Sequence, residues 1–263
     1  MKEYTARVFV NHHFVLGEGP IYDPRFDRLS WVDIKNEELW SITKNDEPKV
    51  FSVGQPIGAA VPIADSNDML LALKDGLYRY SDEGLSLVTD MKADYKEYRR
   101  SNDAKADPFG RLWFGSLTMD ETMENSGSLY CYDKGHILVK EANTKISNGM
   151  AWSKDCTRFF FSDTPCHSVF VYDYDLKSGG ISNRRILCDM GEGEPDGLCI
   201  DEDDNLWIAV WGGHRVEKRS GQTGELLEVV HVDATNVTSC AFCGDILYIT
   251  SSGEGLDGEH EGC

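Results

Sequence analysis

A turn-like segment followed by a short apolar strand recurs six times along the chain. The copies are YDPRFDRLSWVD from Tyr22, IADSNDMLLAL from Ile63, KADPFGRLWFG from Lys105, WSKDCTRFFFSD from Trp152, IDEDDNLWIAV from Ile200 and FCGDILYIT from Phe242. With Asp23, Asp65, Asp107, Lys154, Asp201 and Cys243 as register marks, the units are spaced by 42, 42, 47, 47 and 42 residues. A fixed period of this length is the signature of a solenoid, a propeller or an array, in which one supersecondary unit buries its apolar face only against its neighbours.

Within each unit, Asp, Asn, Gly and Pro mark the turns, and runs of Leu, Trp, Tyr and Phe mark the strands. The third unit reads as four strands, SNDAKAD, RLWFGSL, GSLYCYD and HILVKEA, with no 3.6-residue periodicity. Four-stranded sheets arranged radially make a propeller. A β-helix would need shorter coils, and a helical repeat would show amphipathic helices. The expected fold is therefore all-β, a six-bladed β-propeller with four-stranded blades forming a single domain over residues 1–263. Tyr4 to Val10 (YTARVFV) reads as an outer strand with no inner strands before it, so it is expected to close the last blade. After Ile246 to Thr250 there remains SSGEGLDGEHEGC, a polar, glycine-rich segment, so that blade is expected to lack its C-terminal closing strand.

The first strand of each blade lines the central channel, so equivalent positions point at one axis. Five residues before each register mark, six in the fourth unit, stand Glu18, Ala60, Asn102, Asn148, Asp196 and Thr238. Five of these six carry side-chain oxygen, an improbable set for inward-facing positions beside a core unless something polar sits there. Two carboxylates and two amides at one level repel one another and lose hydration, and a cation is the simplest remedy. An all-oxygen set suits one hard divalent ion, Ca²⁺ foremost, with Mg²⁺ or Mn²⁺ as alternatives and Zn²⁺ less suited because it prefers His or Cys. Glu18, Asn148 and Asp196 as a three-ligand set leave coordination positions open for catalysis. The bland alternative is a water-filled channel mouth or a purely structural ion.

Antiparallel alternation places the connections between second and third strands on the face where the inner strands begin. Asp33 to Glu37, Leu117 to Gly127, Asp163 to His167 and Trp211 to His214 are therefore the expected pocket wall, with Asp120 on the longest of them. Arg100, two residues before Asn102, is placed to grip a polyhydroxylated or anionic substrate, whereas Arg99 reads as a solvated charge. His12 and His13 are adjacent strand residues and face opposite ways, so at most one of them approaches the site.

Composition limits the partners. Lys plus Arg total 26 against 45 Asp plus Glu, a net charge of −19 that repels phosphate backbones and anionic membrane surfaces, so no nucleic-acid or membrane partner is expected. Residues 1–20 lack a basic start, apolar run and cleavage site, and no run of about 18 apolar residues occurs. This reading expects a cytoplasmic protein, with no obligate protein partner in evidence. The eight cysteines are scattered through strand-like segments and read as reduced thiols. Cys240 and Cys243 form a Cys-x-x-Cys pair without the two further ligands that a zinc site needs.

LGEGPIYD with WVDI, RSNDAKADPFGR, ISNGMAWS and EPDGLCID resemble, in order and along nearly the whole chain, the signature segments of the regucalcin (senescence marker protein) and gluconolactonase family. That family also includes luciferin-regenerating proteins. The resemblance implies a six-bladed propeller, a divalent metal held by Glu18, Asn148 and Asp196, Asp196 as general base, and substrate contacts from Arg100, Asn102 and Asp120. Regucalcin has Glu where this chain has Asp120, and the family's Asn-Asp-Gly-Lys is here Asn102, Asp103, Ala104 and Lys105. The family usually continues with a further glycine-started apolar strand. The implied activity is metal-dependent hydrolysis of a small sugar lactone. The alternatives are a non-catalytic, calcium-binding regulatory propeller or a luciferin-regenerating type of protein.

Overall fold

Asp107 shows why the repeat folds as it does. Its carboxylate accepts the backbone N–H of Phe109 and Arg111, closing a turn, and also takes the indole N–H of Trp113 at 2.9 Å. Asp201 repeats the device with Asp203, Asn205 and Trp207. An acidic turn residue that bonds its own backbone thus tethers the large aromatic of the following strand. Asp23 closes the equivalent turn through Arg25.

The computed structural model describes residues 1–44, 46–95, 97–120 and 126–263. After β1 (Lys2–Thr5), the first sheet is β2 (Gly17–Asp23), β3 (Arg28–Asp33), β4 (Glu38–Thr43) and β5 (Lys49–Ser52). The second is β6 (Ile57–Pro62), β7 (Met69–Leu73), β8 (Gly76–Ser81) and β9 (Gly84–Asp90), followed by the single helical turn α1 (Lys92–Tyr95). The third is β10 (Arg99–Ala106), β11 (Leu112–Thr118), β12 (Gly127–Asp133) and β13 (His136–Thr144). The fourth is β14 (Ser147–Trp152), β15 (Arg158–Asp163), β16 (Ser168–Asp175) and β17 (Gly180–Asp189). The fifth holds β18 (Glu194–Ile200), β19 (Asn205–Trp211), β20 (Arg215–Ser220) and β21 (Leu226–His231), and β22 (Asn236–Cys243) with β23 (Ile246–Ser252) forms a last sheet.

The propeller is present, but the expectation of six four-stranded blades is overturned. Five sheets have at least four strands, and the sixth repeat supplies a two-stranded sheet. Nor does the N-terminal strand close that last sheet. β1 lies parallel to β21, from Lys2 opposite Glu228 to Thr5 opposite His231, as a fifth strand on the fifth sheet. The reason is local. The residues after Ser252 lack the apolar alternation of a strand, while β21 offers an open backbone edge that a short segment can join by hydrogen bonds alone. The ring still closes, because β22 packs against β18 and β19 on one side and β2 on the other.

Apolar clusters fill the gaps between neighbouring sheets, and their sizes follow the strand count. Ten buried residues, including Val32, Ile57, Leu71 and Leu73, lie between the first and second sheets, whereas Phe14, Leu29 and Trp31 are the three buried between the last sheet and the first. The sector of β22 and β23 therefore carries the thinnest core. All eight cysteines are free; Cys131, Cys188, Cys199 and Cys240 are buried and fill core space, and Cys240 contacts Cys199 at 3.6 Å rather than pairing with Cys243. Among the described residues no helix is long and apolar enough to cross a membrane.

Candidate functional site

Each innermost strand breaks its ladder near its start, at the same level of the channel. The irregularities fall between Glu18 and Ile21, Ile57 and Ala59, Ser101 and Ala104, Ser147 and Met150, Pro195 and Leu198, and Val237 and Ser239. A bulge leaves a residue unpaired and re-aims its side chain. Asn102, Asn148, Asp196 and Thr238 fall within four of these breaks, and Glu18, still paired with Val32, borders a fifth. In the second sheet the bulged residue is Gly58, since Ala60 pairs regularly with Leu71, so the register position assigned to Ala60 is corrected. A side chain at Gly58 would meet the Asn102 backbone oxygen at 2.3 Å.

The amide half of the ring is joined by hydrogen bonds. Arg100 Nη1 donates to Asn102 Oδ1 at 2.9 Å, Asn102 Nδ2 donates to Asn148 Oδ1 at 3.0 Å, and Asn148 Nδ2 donates to Thr164 Oγ1 at 2.8 Å. Thr164 donates in turn to the Pro195 carbonyl, next to Asp196. Both asparagines are thereby fixed in orientation. The two aspartates that end β3 and β15 pin the segments entering the ring: Asp33 accepts from the amides of Val15 and Leu16, and Asp163 from those of Lys145 and Ile146. Asp33 and Asp163 belong to the expected pocket-wall connections, but their carboxylates serve the scaffold.

The acidic half is held differently. Glu18 and Asp196 are buried and interact through their charges, with Asp103 behind them. Burial, then the charge of Asp103, pushes the Glu18 carboxyl up to about 8, against smaller downward pulls from the Gly19 amide and Arg100. Burial, then Glu18 and Asp103, raises Asp196 well above the usual carboxylate range. Asp196 Oδ1 is buried with no hydrogen-bond partner. Among the described residues no cluster of three or more His, Cys, Asp or Glu is placed to hold a metal ion. The ring is instead a mixed set of two carboxylates with amide oxygens, and an orphaned carboxylate oxygen beside a second buried acid fits a hard cation.

The structure thus brings Glu18, Arg100, Asn102, Asn148 and Asp196 together. Asp120 lies half-buried after β11, its amide bonded to Thr118 Oγ1, and residues 121–125 of that longest pocket-wall connection lie outside the described residues. His12 packs edge-on against Phe14 and at a tilt against Trp40, and His13 bonds the Glu261 carbonyl, so both are structural. The sequence reading underplayed four residues at this mouth. Asp103 was visible beside Asn102 in the repeat but had no assigned part. Trp211 ends β19 in the fifth sheet, yet packs on the cluster between the first two sheets, which carries its ring across the mouth. Lys35 pairs with Glu254, whose charge together with those of Glu18 and Asp196 acts on Arg100, countering the lowering effect of burial. Glu254 lies past the last strand, where no repeat register reaches it.

Residues 16–253 match the family described as SMP-30/Gluconolactonase/LRE-like region. YvrE of Bacillus subtilis (strain 168), provisionally named a sugar lactone lactonase, is 35% identical over 248 residues, covering 91% of this chain and 84% of that one. Regucalcin of Gallus gallus is 33% identical over 258 residues, 93% of this chain and 85% of its own. Among solved structures, a luciferin-regenerating enzyme superposes with a TM-score of 0.87 at 31% identity, covering 94% of this chain and 87% of that one. A calcium-binding protein, regucalcin, of Agrobacterium tumefaciens superposes with a TM-score of 0.90 at 28% identity, over 97% and 88% of the two chains.

Proposed function

Because the chain belongs to the SMP-30/gluconolactonase/LRE-like family, we propose that its channel mouth hydrolyses sugar lactones with the help of one divalent metal ion. The observation that carries this reading is the orphaned, buried Asp196 Oδ1, on a carboxylate that feels the charge of the buried Glu18 beside a hydrogen-bonded pair of asparagines. Glu18, Asn148 and Asp196 would hold the ion, and their oxygen-only donors favour Ca²⁺, with Mg²⁺ or Mn²⁺ as substitutes. When bound, such an ion supplies Lewis-acid polarisation of the lactone carbonyl and lowers the pKa of water.

The remaining chemistry belongs to the chain. Asp196 accepts a proton as water adds to the carbonyl carbon, and the ring C–O bond then breaks with the leaving oxygen taking the proton, giving the open-chain acid. Arg100 and Asn102, already locked to each other, orient substrate hydroxyls, and Asp120 takes a further hydroxyl. Trp211 over the mouth limits water access.

Hydrolysis of glucono-δ-lactone, followed with a pH indicator in Ca²⁺, Mg²⁺, Mn²⁺ and Zn²⁺, tests the proposal. Metal-stimulated turnover that Asp196→Ala abolishes is expected. Absence of such turnover, with Asp196→Ala behaving like the parent, overturns it. The similarity to a solved calcium-binding regucalcin supports a second reading, a non-catalytic calcium-binding protein, which tight Ca²⁺ binding without turnover of any lactone would select.

A further inference from the structure

Asp103 is a buried acid to which the proposed chemistry gives no part. The ladder of β10 breaks between Ser101 and Ala104, so both Asn102 and Asp103 stand outside it. Asn102 joins the chain of amides, whereas Asp103 Oδ1 accepts the Ala104 amide at 2.7 Å and the carboxylate acts through its charge on both Glu18 and Asp196. Three buried acids that repel one another need an opposing charge.

Lys105 supplies one. Its Nζ donates to the Leu198 carbonyl at 2.8 Å. β10 belongs to the third sheet and β18 to the fifth, and β14 of the fourth packs against both, so the lysine stem spans the channel. Leu198 is the residue at which the ladder of β18 resumes after the break that holds Asp196. Burial raises the Asp103 carboxyl, and the Lys105 ammonium is the foremost of the groups that pull it back. Because β10 runs inward from Arg99, Arg100 lies on the mouth side of the ring and Lys105 on the inner side.

We propose that Asp103 and Lys105, acting by charge through the ring, set how tightly the channel holds its divalent ion and which sign the loaded site presents: Asp103 strengthens the hold and Lys105 weakens it. The inference rests on the metal-dependent reading above. In their charged forms Glu18, Asp103 and Asp196 against Arg100 and Lys105 leave one net negative charge, which a divalent ion turns into one net positive charge. That sign favours the negative charge that develops on the carbonyl oxygen as water adds. Without Lys105 the same ion would meet two net negative charges, bind more tightly and leave no surplus to offer. A purely structural tether predicts the reverse for the ion, because releasing Leu198 slackens the strand that carries Asp196.

Ca²⁺ titration calorimetry on the full chain at mildly alkaline pH tests it, with each variant checked for an unchanged circular dichroism spectrum. Lys105→Met, and Lys105→Gln, which keeps an N–H donor but no charge, should each bind Ca²⁺ at least threefold more tightly than the parent. Asp103→Asn should bind it at least threefold more weakly. The double variant, Lys105→Met with Asp103→Asn, should fall between its two parents, and Lys105→Arg should stay within twofold of the unaltered chain. At saturating Ca²⁺, Lys105→Met should lower kcat for glucono-δ-lactone at least fivefold, so that ion affinity and turnover move in opposite directions. Weaker or unchanged Ca²⁺ binding in the two uncharged Lys105 variants overturns the proposal, as does unchanged or tighter binding in Asp103→Asn. A parent that binds no Ca²⁺ overturns the metal-dependent reading and this inference with it. A parent that binds Ca²⁺ without turning over lactone overturns the lactonase reading alone, and the affinity shifts still decide the charge pair.

Discussion

Gly149 follows the ring residue Asn148 and lets the fourth and fifth sheets approach at the level of the site. A β-carbon there would lie 2.6 Å from Leu198 Cγ and 2.7 Å from both the Asp196 carbonyl oxygen and the Leu198 amide nitrogen. Two of those three atoms are backbone, so no rotamer change relieves the clash, and Gly149→Ala must move the strand that carries Asp196. Overpacking of this kind costs about 1–3 kcal/mol, which for a chain of this size lowers the melting temperature by roughly 2–10 °C. The larger effect should be on chemistry, since displacing a catalytic group by about 1 Å costs on the order of 100-fold in rate. Gly180→Ala, whose β-carbon meets Ser178 Oγ at 3.0 Å on an outer strand, is the matched control and should change neither quantity. Melts and lactone kinetics on the pair decide the matter. A Gly149→Ala protein that melts lower but keeps full metal response and activity would refute the idea that inter-sheet spacing sets the ring, and one unchanged in both would refute the clash itself.

Adding Ca²⁺ at about 100 times its dissociation constant should stabilise the chain by about 2.7 kcal/mol, and EDTA should remove that gain. Asp196→Ala should melt at the same temperature with and without Ca²⁺ in differential scanning fluorimetry. Asp107→Ala strands the buried Arg111 guanidinium and the Trp113 and Tyr174 donors that now share its carboxylate, and urea titration should show a loss of about 3–5 kcal/mol. Burial alone would raise Asp107, but the bonds from Tyr174, the Arg111 amide, Trp113 and the Arg111 side chain outweigh it and hold it below its ordinary value of 3.8. Its contribution is therefore complete above that value and is lost as pH falls through the lower folded one, so wild type and Asp107→Ala should converge in stability under strongly acidic conditions. Lys35→Ala breaks an exposed pair with Glu254 and should shift stability by under about 1 kcal/mol. If that pair shapes the mouth, a change in KM should accompany it.

The propeller and most of the ring were legible because both follow from a period. Turn aspartates such as Asp107 and Asp201 bond their own backbones, so they recur at fixed distances from the strands they start, and counting back from them reaches Glu18, Asn102 and Asp196. The count slipped where the ladder does. Each inner strand bulges at the ring level, and spacing alone could not tell Gly58 from Ala60. The number of complete blades was misread for a similar reason, since a repeat mark at Cys243 announces a turn and one following strand, not the two outer strands that make a blade. β1 illustrates the limit of pattern: a four-residue strand paired through backbone atoms carries no side-chain record of which sheet it joins. Trp211, Lys35 and Glu254 act across the mouth from three different sectors, a relation that exists only once the ring has closed.

The bulges also separate two kinds of substitution. A residue outside the ladder is free of the pairing demands that β-branched and aromatic neighbours meet, so exchanging Asn148 for another small polar side chain changes what the channel can hold without asking the sheet to re-form. Such positions at one level act like interchangeable fittings on a common frame. One fitting here is sealed: at Gly58 any side chain strikes the Asn102 backbone. The second sector must therefore stay bare unless the neighbouring strand moves, and new chemistry in this chain is confined to the other five.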